Sequence, residues 1–121
     1  MRADFLRVAA TRRRAVLPGL ILQAAPRPQP WAASAAVGVG FTASRKVGNA
    51  VRRNRAKRRL RAAAAAMIPA HGRPGTDYVL IARADTADRP YAALLADLAA
   101  ALRQVERDAE PDEGRRGAAA A

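Results

Sequence analysis

The spacing of apolar residues along the chain predicts three short strands. From residue 36 to residue 44, apolar side chains alternate with glycine, threonine and serine, which predicts a half-buried strand whose glycine face would allow close approach of another backbone. Residues 78–83 form a continuous apolar run, typical of a central strand covered on both faces. Residues 20–22 follow a Pro18-Gly19 turn signal and predict a further strand.

The N-terminal segment is predicted to hold one short helix followed by irregular structure. Phe5, Val8 and Ala9 recur at intervals of three and four residues, which predicts a first helix over residues 2–10. Residues 11–14 are polar and basic and predict a break. Prolines at positions 26, 28 and 30 predict an extended, loop-like segment that cannot be a helix or a central strand.

Two longer helices are predicted in the rest of the chain. Asn49 is a good N-cap for a helix that runs to about residue 67 and is ended by Pro69 and Gly72. Pro90 suits the first position of a last helix. The core-facing residues of that helix are predicted to be Tyr91, Leu94, Leu98, Leu102 and Val105.

Together these elements predict an α+β fold with the order α-β-β-α-β-α, in which helices pack on a small sheet of three to four strands. Residues 1–107 hold all of the predicted elements and are interpreted as a single domain. The remaining segment, residues 108–121, has too little apolar surface to offset the entropy cost of ordering, so a disordered tail is predicted there.

The charge of the chain points to the kind of partner that it binds. Its 121 residues include 22 Lys and Arg against 10 Asp and Glu, a net charge of +12. Residues 1–61 carry 15 of the basic residues and a single acid, Asp4, whereas residues 62–121 carry a net charge of −2. This imbalance argues against a small-molecule enzyme and for a polyanionic partner, either a nucleic acid or an anionic membrane surface.

The composition also excludes several kinds of chemistry. The chain has no cysteine, and its single histidine, His71, rules out a histidine-cluster zinc site; His71 is predicted to be a loop residue without a chemical role. A self-sufficient nuclease would need gathered carboxylates, but the first half offers only Asp4, and the acids of the second half are predicted in turns and in the tail. No apolar run approaches the roughly 20 residues that span a bilayer. The N-terminus is Arg-rich like a transit peptide but lacks serine, so a cytoplasmic protein is expected.

The second predicted helix concentrates the positive charge. Nine of the 17 residues from 45 to 61 are basic and none is acidic. Ala56, Leu60, Ala63 and Met67 share one face and are predicted to pack on the sheet. Two basic ridges flank this face: Arg53, Lys57 and Arg61, with Asn54 beside them, and Arg52, Arg55 and Arg59, with Arg58 beside them. Phosphate would relieve the repulsion between these side chains, and guanidinium groups bind it bidentately. A solvated basic face is the simpler alternative.

The block of residues 40–61, which reads GFTASRKVGNAVRRNRAKRRLR, resembles the signature of the bacterial ribonuclease P protein family. Its centre is the element Arg53-Asn54-Arg55. Residues 2–9 are similar to the first helix of that family and residues 77–83 to its last strand, so the resemblance covers residues 2 to about 106.

The resemblance implies a fold, a partner and a reaction. It implies a left-handed crossover between parallel strands around the basic helix, which general rules of chain handedness would not predict. It also implies that a ribonuclease P RNA, bound 1:1, uses Mg²⁺ to remove the 5′ leader of precursor tRNA. The protein would bind that RNA through the basic helix and hold the single-stranded leader in a cleft between the first helix and the sheet. The protein itself would have no catalytic residue and no membrane partner.

The resemblance assigns residues to two sites. The expected contacts to the catalytic RNA are Arg52, Arg55, Arg58 and Arg59, with Arg45 and Lys46 able to serve either RNA. The expected cleft residues are Arg53, Asn54, Lys57, Arg61 and Phe5, the last by stacking on an unpaired base, with core packing as the alternative. Ala9 and residues 20–22 stand where many members carry aromatics, so leader binding is expected to depend more on charge than on stacking.

Other classes of basic protein fit the sequence less well. A ribosomal-type RNA-binding protein or RNA chaperone shares the size and charge and is the main alternative. A DNA-binding protein would be expected to show base-reading side chains or a dimer surface, and a membrane-surface helix would need a larger apolar face. Trp31 is predicted to anchor the Pro-rich loop, with stacking on RNA as the alternative.

Overall fold

Four strands and two long helices make up the part of the chain that the structure, a computed structural model, describes: residues 13–27 and 37–120, with side chains as far as residue 108. The strands are β1 (Arg13–Val16), β2 (Leu20–Pro26), β3 (Gly38–Thr42) and β4 (Thr76–Ala82). A short 3₁₀ turn (Arg45–Val47) precedes helix α1 (Ala50–His71), and helix α2 (Tyr91–Ala120) ends the described chain. The predicted first helix, with Phe5, and Trp31 lie outside these residues.

The strands form one mixed sheet in the order β1-β2-β4-β3. Strand β2 pairs antiparallel with β1 and β4, and β3 pairs parallel with β4. A parallel pair needs a crossover connection, and α1 provides it between β3 and β4. The predicted α+β fold on a small sheet is therefore confirmed, whereas the left-handed sense of the crossover stays a prediction.

The core lies between one face of the sheet and the two helices. Leu22 of β2 pairs with Leu80 of β4, and both are fully buried on that face. From α1, the predicted face supplies Ala56, Leu60 and Ala63 as buried residues, with Met67 partly buried. Burying a leucine of this kind stabilises the fold by about 1.5–3 kcal/mol. The basic helix is thus held rigidly against the sheet.

Helix α2 follows its predicted pattern except at its first turn. The buried residues include the predicted Leu94, Leu98, Leu102 and Val105, but Tyr91 is 41% exposed. Tyr91 is the first residue of the helix, where the side chain projects beyond the edge of the core. The helical backbone continues to Ala120, past the predicted start of the tail at residue 108. The single domain of residues 1–107 and the disorder of the tail stay predictions.

Strand β1 corrects the predicted polar break at residues 11–14. Arg13–Val16 pairs with β2, and the Pro18-Gly19 turn joins the two strands. Ala15 is fully buried while its neighbours Arg14 and Val16 are exposed, so the segment has the alternation of a half-buried strand. Arginines are tolerated there because β1 is at the edge of the sheet, where charged side chains are common.

The proline at position 26 also lies in a strand, contrary to the prediction that it could not be part of a central one. Strand β2 is central, but Pro26 is its last residue and pairs with Thr76 of β4. Among the described residues β1 begins opposite Ala24, so Pro26 has a strand neighbour on one side only. A missing N–H is tolerated at such a position.

Helix α1 is longer than predicted. It continues through Pro69 and ends at His71, a residue that was predicted to be in a loop. The buried side chain of Ile68 holds this last turn against the core, and the Gly72 N–H donates to the Ile68 carbonyl at 2.7 Å. A proline near the end of a helix removes only one of its hydrogen bonds. His71 is exposed.

The second face of the sheet is less covered than predicted. In β4, Asp77, Val79 and Ile81 alternate with buried residues and are only half-buried, so the strand is central without being covered fully on both faces. A Cβ on Gly40 would meet only a Val79 methyl at 3.9 Å. A Cβ on Gly38, in contrast, would clash with Oδ1 of Asp77 and lie 3.7 Å from its Cα, so the glycine at that position makes room for a side chain of β4 rather than for an unusually close backbone. No helix in the described part of the chain is long and apolar enough to cross a membrane.

Candidate RNA-binding surface

The start of α1 is fixed by three consecutive residues, Val47, Gly48 and Asn49. The Asn49 side chain accepts a hydrogen bond from the Arg52 backbone N–H at 2.9 Å, which confirms the predicted N-cap. Gly48 has φ 141°, a conformation that favours glycine, and a Cβ there would lie 2.5 Å from Cδ of Arg52. The missing side chain leaves room for Arg52 to turn back toward the 3₁₀ turn.

Arg52 and Arg59 are bound by backbone carbonyl groups of the protein itself. Arg52 donates from Nε to the Val47 carbonyl at 3.0 Å and from its terminal nitrogen to the Ala84 carbonyl at 2.8 Å. Arg59 donates from Nε to the Thr86 carbonyl at 3.1 Å and from its terminal nitrogen to the Arg89 carbonyl. These two members of the predicted ridge therefore attach α1 to the loop of residues 83–89 between β4 and α2.

That loop is itself anchored in the core by Thr86, a residue that the sequence did not single out. Thr86 is fully buried, and its hydroxyl donates to the Gly19 carbonyl at 2.6 Å and accepts from the Arg83 N–H at 2.7 Å. The Arg83 side chain also donates to the Leu17 carbonyl at 2.7 Å. The β1–β2 turn, the loop and α1 thus form one connected structure. Clustered Asp and Thr residues indicate a turn, but no sequence signal shows that this threonine is buried.

One carboxylate of the loop lies among the arginines of α1. Oδ2 of Asp88 is 2.6 Å from a terminal nitrogen of Arg52, and the side chains of the two residues are 60% and 37% exposed. The hydrogen bond from Arg52, together with the charges of Arg52, Arg55 and Arg59, holds the pKa of Asp88 below its ordinary value, although desolvation acts in the opposite direction. The basic face therefore contains a negative charge that the sequence pattern of residues 45–61 does not show.

Arg55 and Arg58 differ from Arg52 and Arg59 in their surroundings. Both are exposed, and neither makes a hydrogen bond or an ion pair with the described part of the chain. Asn54, which the sequence assigns to the other ridge, is exposed as well. The 3₁₀ turn before the helix adds the exposed side chains of Arg45 and Lys46. These residues present donors to solvent from a rigid helix, which is the arrangement that phosphate binding requires.

The other ridge of α1 lies toward strand β3. The guanidinium of Arg61 is 5.6 Å from the centroid of the Phe41 ring, within the range of a cation–π contact. Arg53 donates to the Gly48 carbonyl at 3.3 Å, and Lys57 is half-buried. From the sequence, Phe41 was assigned only to the apolar side of its strand; its contact with Arg61 depends on the packing of α1 against β3.

The acids of the second half correct the prediction that they lie in turns and in the tail. Asp97 is in α2, is 8% exposed and pairs with Arg89 at 2.5 Å, while Asp77 is in β4 and pairs with Arg27 at 3.1 Å. The negative charges of these two acids compensate the positive charges of the neighbouring arginines. Within residues 13–27 and 37–108, no three acidic or histidine side chains come together in a group that could hold a metal ion.

The fold and this surface define a class: a small α+β protein with a strongly basic, partly exposed helix packed on its sheet. A family model described as Ribonuclease P matches residues 1–106. The chain belongs to the ribonuclease P protein family, whose members are the protein subunit of the tRNA-processing ribonuclease P. Family membership implies an RNA partner and does not favour a ribosomal protein or an RNA chaperone.

Individual relatives agree with this assignment. The chain is 59% identical over 104 residues to the ribonuclease P protein component of Paramagnetospirillum magneticum, covering 86% of this chain and 78% of that protein. It is 53% identical over 105 residues to that of Ruegeria pomeroyi, covering 86% and 82%.

Solved structures show the same fold. The RNase P protein from Thermotoga maritima has a TM-score of 0.65 at 21% identity, covering 88% of this chain and 92% of that one. The RNase P protein of Staphylococcus aureus has a TM-score of 0.61 at 23% identity, covering 91% and 92%.

Proposed function

We propose that α1 binds the catalytic RNA of ribonuclease P chiefly through Arg55 and Arg58. The observation that carries this proposal is that these arginines are exposed and have no hydrogen-bond or ion-pair partner among the described residues, on a helix whose other face is buried. Arg52 and Arg59 stand beside them and add positive charge while they hold the neighbouring loop. Arg45 and Lys46, at the turn before α1, extend the same surface.

The opposite ridge is proposed to face the single-stranded 5′ leader of precursor tRNA. Its members are Arg53, Asn54, Lys57 and Arg61. The Arg61 guanidinium over the Phe41 ring supports a contact that combines charge with an aromatic surface. Phe5, which the family resemblance assigns to the same cleft, is retained in this proposal although it lies outside the described residues.

The holoenzyme is proposed to contain one protein and one RNA in the cytoplasm, with the RNA subunit carrying out the hydrolysis. Mg²⁺ would be bound mainly by that RNA; among the described residues, Asp77, Asp88 and Asp97 pair with arginines, and no acids gather into a group that could hold a metal ion. The role of the protein is then to raise the affinity of the holoenzyme for precursor tRNA and to broaden the range of 5′ leaders that the holoenzyme accepts.

The proposal is tested by cleavage of a precursor tRNA at low Mg²⁺ with the matching catalytic RNA, with the protein, and with both. Cleavage is expected only when both are present. Cleavage by the protein alone, or RNA binding that leaves cleavage unchanged, would contradict the proposal. Binding of the catalytic RNA is also expected to weaken by several decades between low and high salt if about 6–10 phosphates are contacted, because each contact releases counterions.

A further inference from the structure

The loop of residues 83–89 is positioned to influence how α1 binds RNA. Its carbonyl groups fix Arg52 and Arg59, and its Asp88 carboxylate lies 2.6 Å from Arg52. An RNA that approaches the Arg52 side of α1 therefore meets a carboxylate as well as a guanidinium.

Two features of the Arg52–Asp88 ion pair indicate that its main role is not to stabilise the fold. Both side chains are well exposed, and ion pairs of this kind contribute little to stability. Arg52 is already oriented by the carbonyls of Val47 and Ala84, so it does not need the carboxylate to hold its position. What the carboxylate adds is a negative charge fixed beside a possible phosphate position.

We propose that Asp88 is a specificity-determining residue of the RNA-binding surface, which keeps phosphates away from Arg52 and restricts them to Arg55 and Arg58. This inference rests on the proposed function, that α1 binds the catalytic RNA. A phosphate at Arg52 would have to displace Asp88 and then lie beside its charge, and like charges held side by side are strongly unfavourable. Arg55 acts on the carboxylate through its charge but forms no ion pair with it, and Arg58 is not among the groups that affect it. An RNA whose phosphates match Arg55 and Arg58 therefore avoids direct contact with Asp88, so the acid acts against other RNAs.

The test compares Asp88→Asn with Asp85→Asn. Asp85 is in the same loop, is exposed and has no ion pair within the described residues, so its substitution changes the net charge equally without freeing an arginine. Binding is measured by fluorescence anisotropy with ribonuclease P RNA and with an unrelated duplex RNA of about 30 base pairs, and thermal melting checks the fold.

For Asp88→Asn, affinity for the unrelated duplex is expected to rise about threefold to tenfold, with little change for ribonuclease P RNA. The salt dependence for the duplex should steepen by about one phosphate contact. Asp85→Asn should have a clearly smaller effect on both.

If the two variants change RNA affinity equally, the effect of Asp88 is one of net charge alone, and the inference is overturned. Weaker binding of ribonuclease P RNA by Asp88→Asn would also overturn it, because the acid would then be an orienting residue. If the unsubstituted protein shows no preference for ribonuclease P RNA, the proposed function fails instead.

Discussion

Two pairs of arginines on the same helix have different surroundings. Arg52 and Arg59 donate to backbone carbonyls of the 3₁₀ turn and of the loop after β4, and both are half-buried. Arg55 and Arg58 are exposed and unpartnered within the described chain. In the sequence the two pairs belong to one ridge at helical spacing. The comparison teaches that arginines at equivalent spacing on one helix can differ in whether the protein's own backbone binds them.

The largest expected effect is on RNA binding by the unpartnered pair. Reversing both charges, Arg55→Glu with Arg58→Glu, should weaken binding of the catalytic RNA by about 100-fold or more, because two charged hydrogen-bond donors are replaced by acids. The free energy of unfolding should change by less than about 1 kcal/mol, because both sites are exposed. Filter binding and urea denaturation measure the two quantities.

A matched control is available on α2. Arg103 and Arg107 are also exposed, and their reversal to Glu changes the net charge by the same amount. Normal RNA binding by the α1 double variant, or equal loss by the α2 double variant, would show that the ridge has been misassigned.

The next effect is on stability and concerns the loop that holds the partnered pair. Thr86→Val keeps the shape of the side chain but leaves the Gly19 carbonyl and the Arg83 N–H without their buried partner. Each such group costs about 1–3 kcal/mol, so the free energy of unfolding should fall by about 2–4 kcal/mol. Thr42→Val, at an exposed threonine, should be nearly neutral. An equally small effect at position 86 would mean that the loop is not anchored as described.

A comparison of one arginine from each pair, Arg59 and Arg58, should show directly that the two pairs have different roles. Arg59→Ala removes the hydrogen bonds to the Thr86 and Arg89 carbonyls and should lower the free energy of unfolding by about 1–2 kcal/mol. Arg58→Ala, one position away, should change it by less than about 0.5 kcal/mol. RNA affinity should show the opposite order, with Arg58→Ala the more damaging. The same order in both measurements would remove the distinction between the pairs.

The smallest effect is on the titration of Asp88. Its pKa is lowered by Arg52, so Arg52→Ala should raise that pKa toward the ordinary value for aspartate. Because the folded-state pKa is the lower one, the pair stabilises the fold at neutral pH, and this contribution is lost as the pH falls through the folded-state pKa. Carboxyl ¹³C shifts measured over a pH titration report this change, with Arg45→Ala as the control. An unchanged pKa would show that the pair does not form in solution.

Much of the fold could be predicted from local sequence patterns. Asn49 marked the start of α1, and the spacing of Leu60 and its neighbours marked its buried face, because capping and helical periodicity are local properties. Strand β1 was missed because its arginines mask a short alternation, which becomes visible only when Ala15 pairs opposite Leu22. The end of α1 was placed too early, because Pro69 is tolerated where Ile68 is held by the core.

By itself, the sequence determined the class of fold, the concentration of positive charge in one helix and the resemblance to the ribonuclease P protein family. These three properties depend on the composition, on the spacing of residues or on one contiguous block of residues, all of which can be seen without the structure. The tertiary structure decided which arginines of α1 are bound by the protein's own backbone and which have no partner among the described residues. That outcome depends on the carbonyl groups of Ala84 and Thr86, which lie about 30 positions along the chain from the arginines they hold. Only the packing of α1 beside the β4–α2 loop brings those groups together, and no local pattern encodes that distance.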